Sequence, residues 1–497
     1  MGECVDCKKM EVIMVNKRVS VIAALVAMGL VFGAANIDSK AYSVQGKDVD
    51  VVDVVYNEVP MSAEATGEVT ILRRIDNSDN KYFPPIIEQG TYNSCASWAM
   101  TYYQTSYEFN RAEDKDGSLL ENQLSPVFTY NLTNNGKNEG TYFTDVAKVL
   151  KDVGSVSMAQ LPADTTNGDM PIGDISADAN IWREAHKNRI EECVQVFDGD
   201  ADRMGNATPI TSPDDEDLLE IKKALCEGRI LTASTPGNKW KYKTIEEHAE
   251  VPANSEYVGQ QIMTLCDREG YKGHRITIVG YNDDIWVDIN ENSIVDEGEK
   301  GAFKIANTRG TEYGNDGYMW VSYDTLNIIS SVYSNSAIDL GFENREPSLI
   351  DICYVTVQAD KKASPVTLEF EATTSSAKAM SVVVTATEKE GNRNLSVYKV
   401  TPFRTSVEIG LGEVGFDGTN NTTTGSFSIA IDNLFKDISV EDLDKYEWNV
   451  KVSNMANNMP LTYSNLKLVD ENLNTLYAAD EASYEITGEK FIKLNKR

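Results

Sequence analysis

Positive charge is what this chain has least of. Its 497 residues carry 46 Lys and Arg against 77 Asp and Glu, a formal net charge of −31. Such a surface repels polyanions, which excludes nucleic acid and anionic membranes as partners. Long apolar runs are also scarce. The one that matters, Val19–Ala35, follows Lys17 and Arg18 and precedes Ser39 and Ala41, small residues placed as at a cleavage site. Residues 1–43 therefore read as a signal peptide region, and the mature protein as extracellular, secreted or attached to the cell surface. The run's 17 residues approach the roughly 18 that span a bilayer, so an uncleaved N-terminal anchor is the alternative. Met14 opens a more ordinary signal sequence than Met1 does.

Paired metal-binding cysteines are missing. Of seven cysteines, Cys4 and Cys7 make one C-x-x-C and leave with the leader; Cys95, Cys193, Cys226, Cys266 and Cys353 remain, widely and irregularly spaced. That pattern excludes a zinc site built on two C-x-x-C pairs and a disulfide-dense scaffold, and an odd number leaves at least one thiol unpaired. No repeat of fixed period occurs, and the polar tract Asn420–Thr424 reads as a loop tip.

What is present is enough apolar residue, 41%, to fill two or three units. Residues 44–80 are acidic and weakly patterned, as in a short pro-segment or linker. Residues 81–358 have the order helices first, strands later, an α+β arrangement. Helices are expected from Cys95 to about Arg111, with Ser94 as its cap, and over 144–153 and 217–226. Strands are expected over 275–281, 301–306 and 317–323. From 364 to 497 the alternating runs at 366–370, 381–385, 426–431 and 448–452 predict an antiparallel β-sandwich, with a short helical segment near Val440–Leu443.

Cys95 stands at the first turn of a helix, where unsatisfied N–H groups and the helix dipole favour thiolate over thiol. Its backbone N–H can serve as one oxyanion donor, and the Gln89 amide, six residues upstream, as another. A thiolate needs an imidazole as ion-pair partner and acid. Only three histidines exist. His186 and His248 sit among charged residues and are expected at the surface; His274 follows Gly273 and enters the apolar run ending Val279-Gly280-Tyr281. Asn307 closes another strand, where its amide can orient an imidazole or merely make a turn.

Taken in order, Gln89-Gly90, Ser94-Cys95, Gly273-His274 with Val279-Gly280-Tyr281, Asn307-Thr308-Arg309-Gly310 and Tyr313-Gly314-Asn315-Asp316-Gly317-Tyr318 resemble the motifs of papain-like cysteine peptidases, across roughly residues 81–325. The resemblance implies a two-lobed catalytic domain, a helical lobe plus a β-barrel-like lobe, followed here by the β-sandwich. It also implies a secreted cysteine endopeptidase acting on proteins or peptides, with Cys95 as nucleophile, His274 as acid and base, Asn307 as orienter and Gln89 as oxyanion donor. Three positions depart from the family. Tyr92 replaces a disulfide cysteine, and Ala96 the tryptophan after the nucleophile. Arg309 replaces the tryptophan that covers the His–Asn contact, and a guanidinium there disfavours an imidazolium. The alternative is therefore a weak or inactive papain-like scaffold in an extracellular binding or adhesion protein, its sandwich holding a ligand the sequence does not name.

One further motif lies between the His274 and Asn307 strands. Asp288, Asn290, Asn292, Ile294 (by its carbonyl), Asp296 and Glu299 occupy the ligand positions of a twelve-residue calcium loop, with Ser293 where glycine makes the bend. Structural calcium is expected, no cofactor is needed for the chemistry, and the same stretch also reads as a solvated acidic hairpin. Asp198-Gly-Asp200-Ala-Asp202 begins alike, but Arg203 at the bend and Pro209 in place of the last glutamate make it a surface loop.

Overall fold

The computed structural model describes residues 70–163, 172–199, 209–237, 239–266, 272–327, 330–332, 349–357, 364–390, 394–400, 412–436, 438–456 and 459–497. The leader, most of the 44–80 segment and residues 200–208 lie outside the described residues, among which no helix is long and apolar enough to cross a membrane.

The chain enters on an aromatic-lined path and then forms α1. This helix opens as Cys95–Ser97, widens to a π-helix over Trp98–Thr105, and closes as Ser106–Glu113. Side chains reinforce the wide turn: Thr105 Oγ1 donates to Met100 O at 2.7 Å and Ser106 Oγ to Thr101 O at 3.2 Å, both five residues back. The left-handed Asp114, φ 54°, ends it. Ser94 occupies the N-cap position, but its hydroxyl makes no cap bond, contrary to the expectation from sequence. α2 (Pro126–Asn131) and α3 (Phe143–Asp152) pack on α1, and α3 buries Val146, Val149 and Leu150 as its periodicity requires. α4 (Ala179–Ala185) and α5 (Leu219–Cys226) follow.

Nine strands make the first sheet: β1 (Arg74–Asp76), β2 (Ile190–Phe197), β3 (Leu231–Pro236), β4 (Trp240–Thr244), β5 (Gln261–Cys266), β6 (Gly273–Trp286), β7 (Lys300–Ala306), β8 (Tyr318–Ser322) and β9 (Ile350–Val357). Their order is β2-β9-β3-β6-β7-β8-β5-β4, with β1 beside β6 through Ile75 opposite Tyr281. All pairs are antiparallel except β5 with β8. β6 is central and long because both its faces are covered, so nearly every residue from Arg275 to Trp286 is buried. Helix and sheet meet at α1, where Trp98, Tyr102, Tyr103 and Tyr107 join Ile230, Val279 and Ala306 in one cluster.

The C-terminal region is wholly antiparallel. β10 (Val366–Thr374), β13 (Thr423–Ala430), β15 (Leu461–Asp470), β16 (Thr475–Ala478) and β17 (Ser483–Glu485) form one half; β11 (Met380–Glu388), β12 (Asn394–Val400), β14 (Tyr446–Asn454) and β18 (Glu489–Lys496) form the other, joined through β16 and β18. The halves enclose Phe370, Val384, Phe427, Trp448 and Ile492, and Tyr463 Oη bridges them by accepting from Ser381 N at 3.2 Å. This core continues into the helical layer: Trp182 of α4 packs edge-on against both Phe128 and Phe427, and Arg183 Nε lies 2.7 Å from Glu369 Oε1.

Candidate active site

Three segments converge on the start of α1. The first is the loop before the helix. Tyr102 Oη donates to Pro85 O at 2.9 Å and Ile87 N donates to Tyr103 Oη at 3.2 Å, so the aromatic face of α1 itself lays residues 83–89 in place. Asn93 is tied down beyond them, its backbone N donating to Asn138 Oδ1 at 2.8 Å. The second segment is the start of β6, carrying His274 opposite Thr235 of β3. The third is the chain leaving β7, where Asn307 N donates to Gly317 O at 3.0 Å.

These segments bring Cys95, His274, Asn307 and Gln89 together. Burial alone would push the half-buried Cys95 thiol up. A hydrogen bond with His274, the charge of that ring, and the backbone N–H groups of Arg275 and Ala96 outweigh it, and the pKa is lowered from 9.0. On the far side of the ring His274 Nε2 lies 3.0 Å from Asn307 Oδ1. An amide oxygen only accepts, so Nε2 carries the proton and Nδ1 is the nitrogen left for the thiol. Asn307 is fully buried, and its oxygen also accepts from Thr308 N at 2.8 Å, which fixes which way the amide faces. Gln89 is knit to the same segment after β7: its backbone N donates to Thr308 O at 2.8 Å, and Thr308 Oγ1 donates to Gln89 Oε1. Gln89 Nε2 donates one hydrogen to Tyr92 O at 2.6 Å, leaving the second N–H of that amide.

Sequence reasoning did not identify what holds the histidine. Gly237 packs directly on it, since a β-carbon there would lie 2.4 Å from His274 Cβ and 2.8 Å from Cγ. The Trp240 ring is 6.3 Å from the imidazole, centroid to centroid, and its Nε1 donates to Thr235 Oγ1 at 2.9 Å. Arg309 is exposed; its Nη2 donates to Gly237 O at 3.3 Å and its guanidinium lies 5.3 Å over the Tyr313 ring. Pro236-Gly237 carried only a turn signal. Trp98, three residues after Cys95, is wholly buried against Tyr102, ring centroids 5.0 Å apart.

The other two histidines lie elsewhere. His248 is half-buried on Trp286, 4.9 Å between rings. His186 is buried, which corrects the surface placement read from its charged neighbours: Arg183 and Arg189 turn to Glu369 and Asp432 while the imidazole stays inside. Burial, then the charges of Arg189 and Arg183, lower its pKa from 6.5 to about 3.

The Asp288–Glu299 loop lies apart from these residues, between β6 and β7. Ser293 takes the left-handed conformation that glycine would, φ 58°. Asp288 accepts from Asn292 N at 3.0 Å and Ser293 N at 2.9 Å, and Asn290 and Asn292 turn their Nδ2 groups to Asp296 Oδ2 at 3.2 and 2.9 Å. Half-rotation of those amides would present oxygen, the donor a hard cation takes. Glu299 fits less well. It is buried, with Oε1 accepting from Ile289 N and Asn290 N and Oε2 from Trp286 Nε1. Among the described residues no three His, Cys, Asp or Glu side chains are grouped to hold a metal.

No family model matches the chain, and no curated protein matches it. Among solved structures the chain is similar to xylellain, a cysteine protease from Xylella fastidiosa, with TM-score 0.37 and 17% identity over 58% of this chain and 87% of that one. It is also similar to the bromelain protease from Ananas comosus in complex with the E64 inhibitor, with TM-score 0.35 and 15% identity over 58% and 100%. A digestive procathepsin L 3 of Tenebrio molitor larval midgut gives 0.37 and 12% over 61% and 75%. With TM-scores below 0.5 and identities below 25%, the chemistry of this chain is read from its own residues.

Proposed function

We propose that this chain is a secreted cysteine endopeptidase that hydrolyses peptide bonds through an acyl-thioester on Cys95. The observation that supports it most is the relay of contacts in which Cys95 meets one nitrogen of His274 and Asn307 accepts from the other at 3.0 Å. Cys95 sulfur attacks the peptide carbonyl carbon, and the oxygen takes the electron pair. The Cys95 N–H and the remaining Gln89 N–H are the candidate donors to that oxygen. His274 passes the proton from Nδ1 to the departing amine, then takes one from the water that cleaves the thioester. Asn307 keeps Nε2 protonated, so the ring cannot turn its wrong nitrogen to the sulfur. Residues 364–497 serve as an accessory domain.

Incubation with E64 followed by mass spectrometry tests this, alongside hydrolysis of a denatured protein substrate. The expected result is one adduct, on Cys95, with loss of hydrolysis; Cys95→Ala takes no adduct and cleaves nothing. Undiminished cleavage by Cys95→Ala would overturn the assignment.

A further inference from the structure

A second thiol centre lies behind the nucleophile. Cys353 on β9 is completely buried, in a cluster with Ala96 and Met100 of α1, Val146 and Leu150 of α3, and Val355. Cys193 sits half-buried on β2, which is the edge strand of the sheet. Across the ladder Cys193 faces Val355 and Gln195 faces Cys353, so the two cysteines project from the same face as diagonal neighbours. Register shifts interrupt the ladder on both sides of them. The two thiols share a hydrogen bond.

The residue after the catalytic histidine completes the centre. Arg275 is buried, its Nη2 lies 2.9 Å from Cys353 Sγ, and its guanidinium stacks 4.0 Å over the Phe143 ring. Thr232 Oγ1 lies 3.5 Å from the same sulfur. A buried guanidinium against a sulfur favours the thiolate, and the pKa of Cys353 falls to about 6, through the Cys193 hydrogen bond first and against the cost of burial, with Arg275 and Thr232 adding. A poised thiolate touching a second thiol, one inside and one at a sheet edge, is more than apolar packing requires.

We infer that Cys193 and Cys353 form a redox pair, closing to a disulfide by exchange with a small-molecule disulfide. Access sets the order of steps. Cys193, at the edge, passes its proton across the shared hydrogen bond to the Cys353 thiolate as its sulfur attacks the reagent R–S–S–R, forming Cys193–S–S–R and releasing R–S⁻, which takes that proton from Cys353. Cys353 thiolate, held by Arg275, then attacks the Cys193 sulfur and expels the second R–S⁻. Two protein sulfurs are oxidised and one small disulfide is reduced to two thiols, the first taking the Cys193 proton and the second a proton from water. The link ties β2 to β9 behind α1, and it does not depend on whether Cys95 cleaves peptides.

Oxidised glutathione is the probe, applied to the full chain carrying Cys95→Ala so that the nucleophile cannot compete. Thiols left after denaturation are alkylated, and the digest is read by mass spectrometry without reduction. The expected product is the Cys193 peptide joined to the Cys353 peptide, lighter by two hydrogens and separated by a reducing agent. Cys353→Ser should stop the reaction at the glutathione adduct of Cys193, while Cys193→Ser should leave Cys353 unmodified. Should either variant fail to fold, the Cys95→Ala protein decides alone. Alkylation of both thiols after treatment, or a link to Cys226 or Cys266 instead, would overturn the pairing.

Discussion

Gly237 lies so close to His274 that a β-carbon on it would stand 2.4 Å from the histidine's own Cβ. Glycine is needed here for approach, to a ring that also meets Cys95 and Asn307. Gly237→Ala should displace the imidazole by a substantial fraction of an ångström. A misplacement near 1 Å costs on the order of 10²-fold in rate, while overpacking of this kind costs about 1–3 kcal/mol of stability. We expect kcat/KM toward a peptide substrate to fall about 10²-fold with the fold retained in thermal melts. Unchanged kinetics would mean the segment yields and does not position the ring.

Arg309 acts one step further out, through its hydrogen bond to Gly237 O and its stacking on Tyr313. Arg309→Met keeps an aliphatic stem over the ring but removes the donor. An exposed bond of this kind contributes about 0.5–1 kcal/mol, so kcat should fall roughly two- to fivefold with little change in KM. The charge argument drawn from sequence gives the opposite sign: removing a cation would raise the rate and shift the alkaline limb of the pH profile upward. The profile therefore separates a strap from a repelling charge.

The parts of this site that were legible in the sequence were those set by local rules. Cys95 heads a periodic helical pattern after a Gly-containing loop, and His274 and Asn307 mark ends of apolar strands, so each could be found from a few neighbours. Gly237 and Trp240 could not, because their relation to His274 arises from β3 lying beside β6, a pairing between residues about 40 apart. Arg74–Asp76, within the stretch that read as pro-segment or linker, is a strand because it finds Tyr281 as a partner. β2 was missed because an edge strand tolerates Glu191 and Glu192 outward and so loses its apolar alternation. His186 was misread for a related reason: its flanking arginines are long enough to reach partners while the ring turns inside.

Calcium should report on the Asp288–Glu299 loop through Glu299. If the cation takes this carboxylate, the bond from Trp286 Nε1, 2.8 Å, must break. Calcium should then shift the tryptophan emission and raise the melting midpoint, by about 2.7 kcal/mol of stability at 100 times its dissociation constant. The three N–H donors now on Glu299 oppose the exchange, so the affinity should be weak, and Ser293→Gly should tighten it by easing a left-handed bend. Identical midpoints in calcium and chelator would reject the site.

Acid should destabilise the fold through His186, far from the chemistry. The folded protein holds this imidazole neutral down to about pH 3, whereas in the unfolded chain it titrates near 6.5. Between those values the unfolded state binds the extra proton, so stability rises with pH across the window. The contribution is fully present above 6.5 and is lost as pH falls toward 3, at about 1.4 kcal/mol per pH unit. Carboxylates titrate in the same range, and Glu299 and Asp283, whose burial raises their pKa, work in the opposite sense. The comparison that isolates the histidine is therefore between proteins rather than between buffers. His186→Gln, which keeps a neutral polar side chain of similar reach, should melt below the unsubstituted protein at pH 7.5 if the glutamine packs less well, yet lose less of its midpoint on going to pH 5. Parallel losses in the two proteins would show that His186 is protonated in the folded state and that the acid sensitivity lies with the carboxylates.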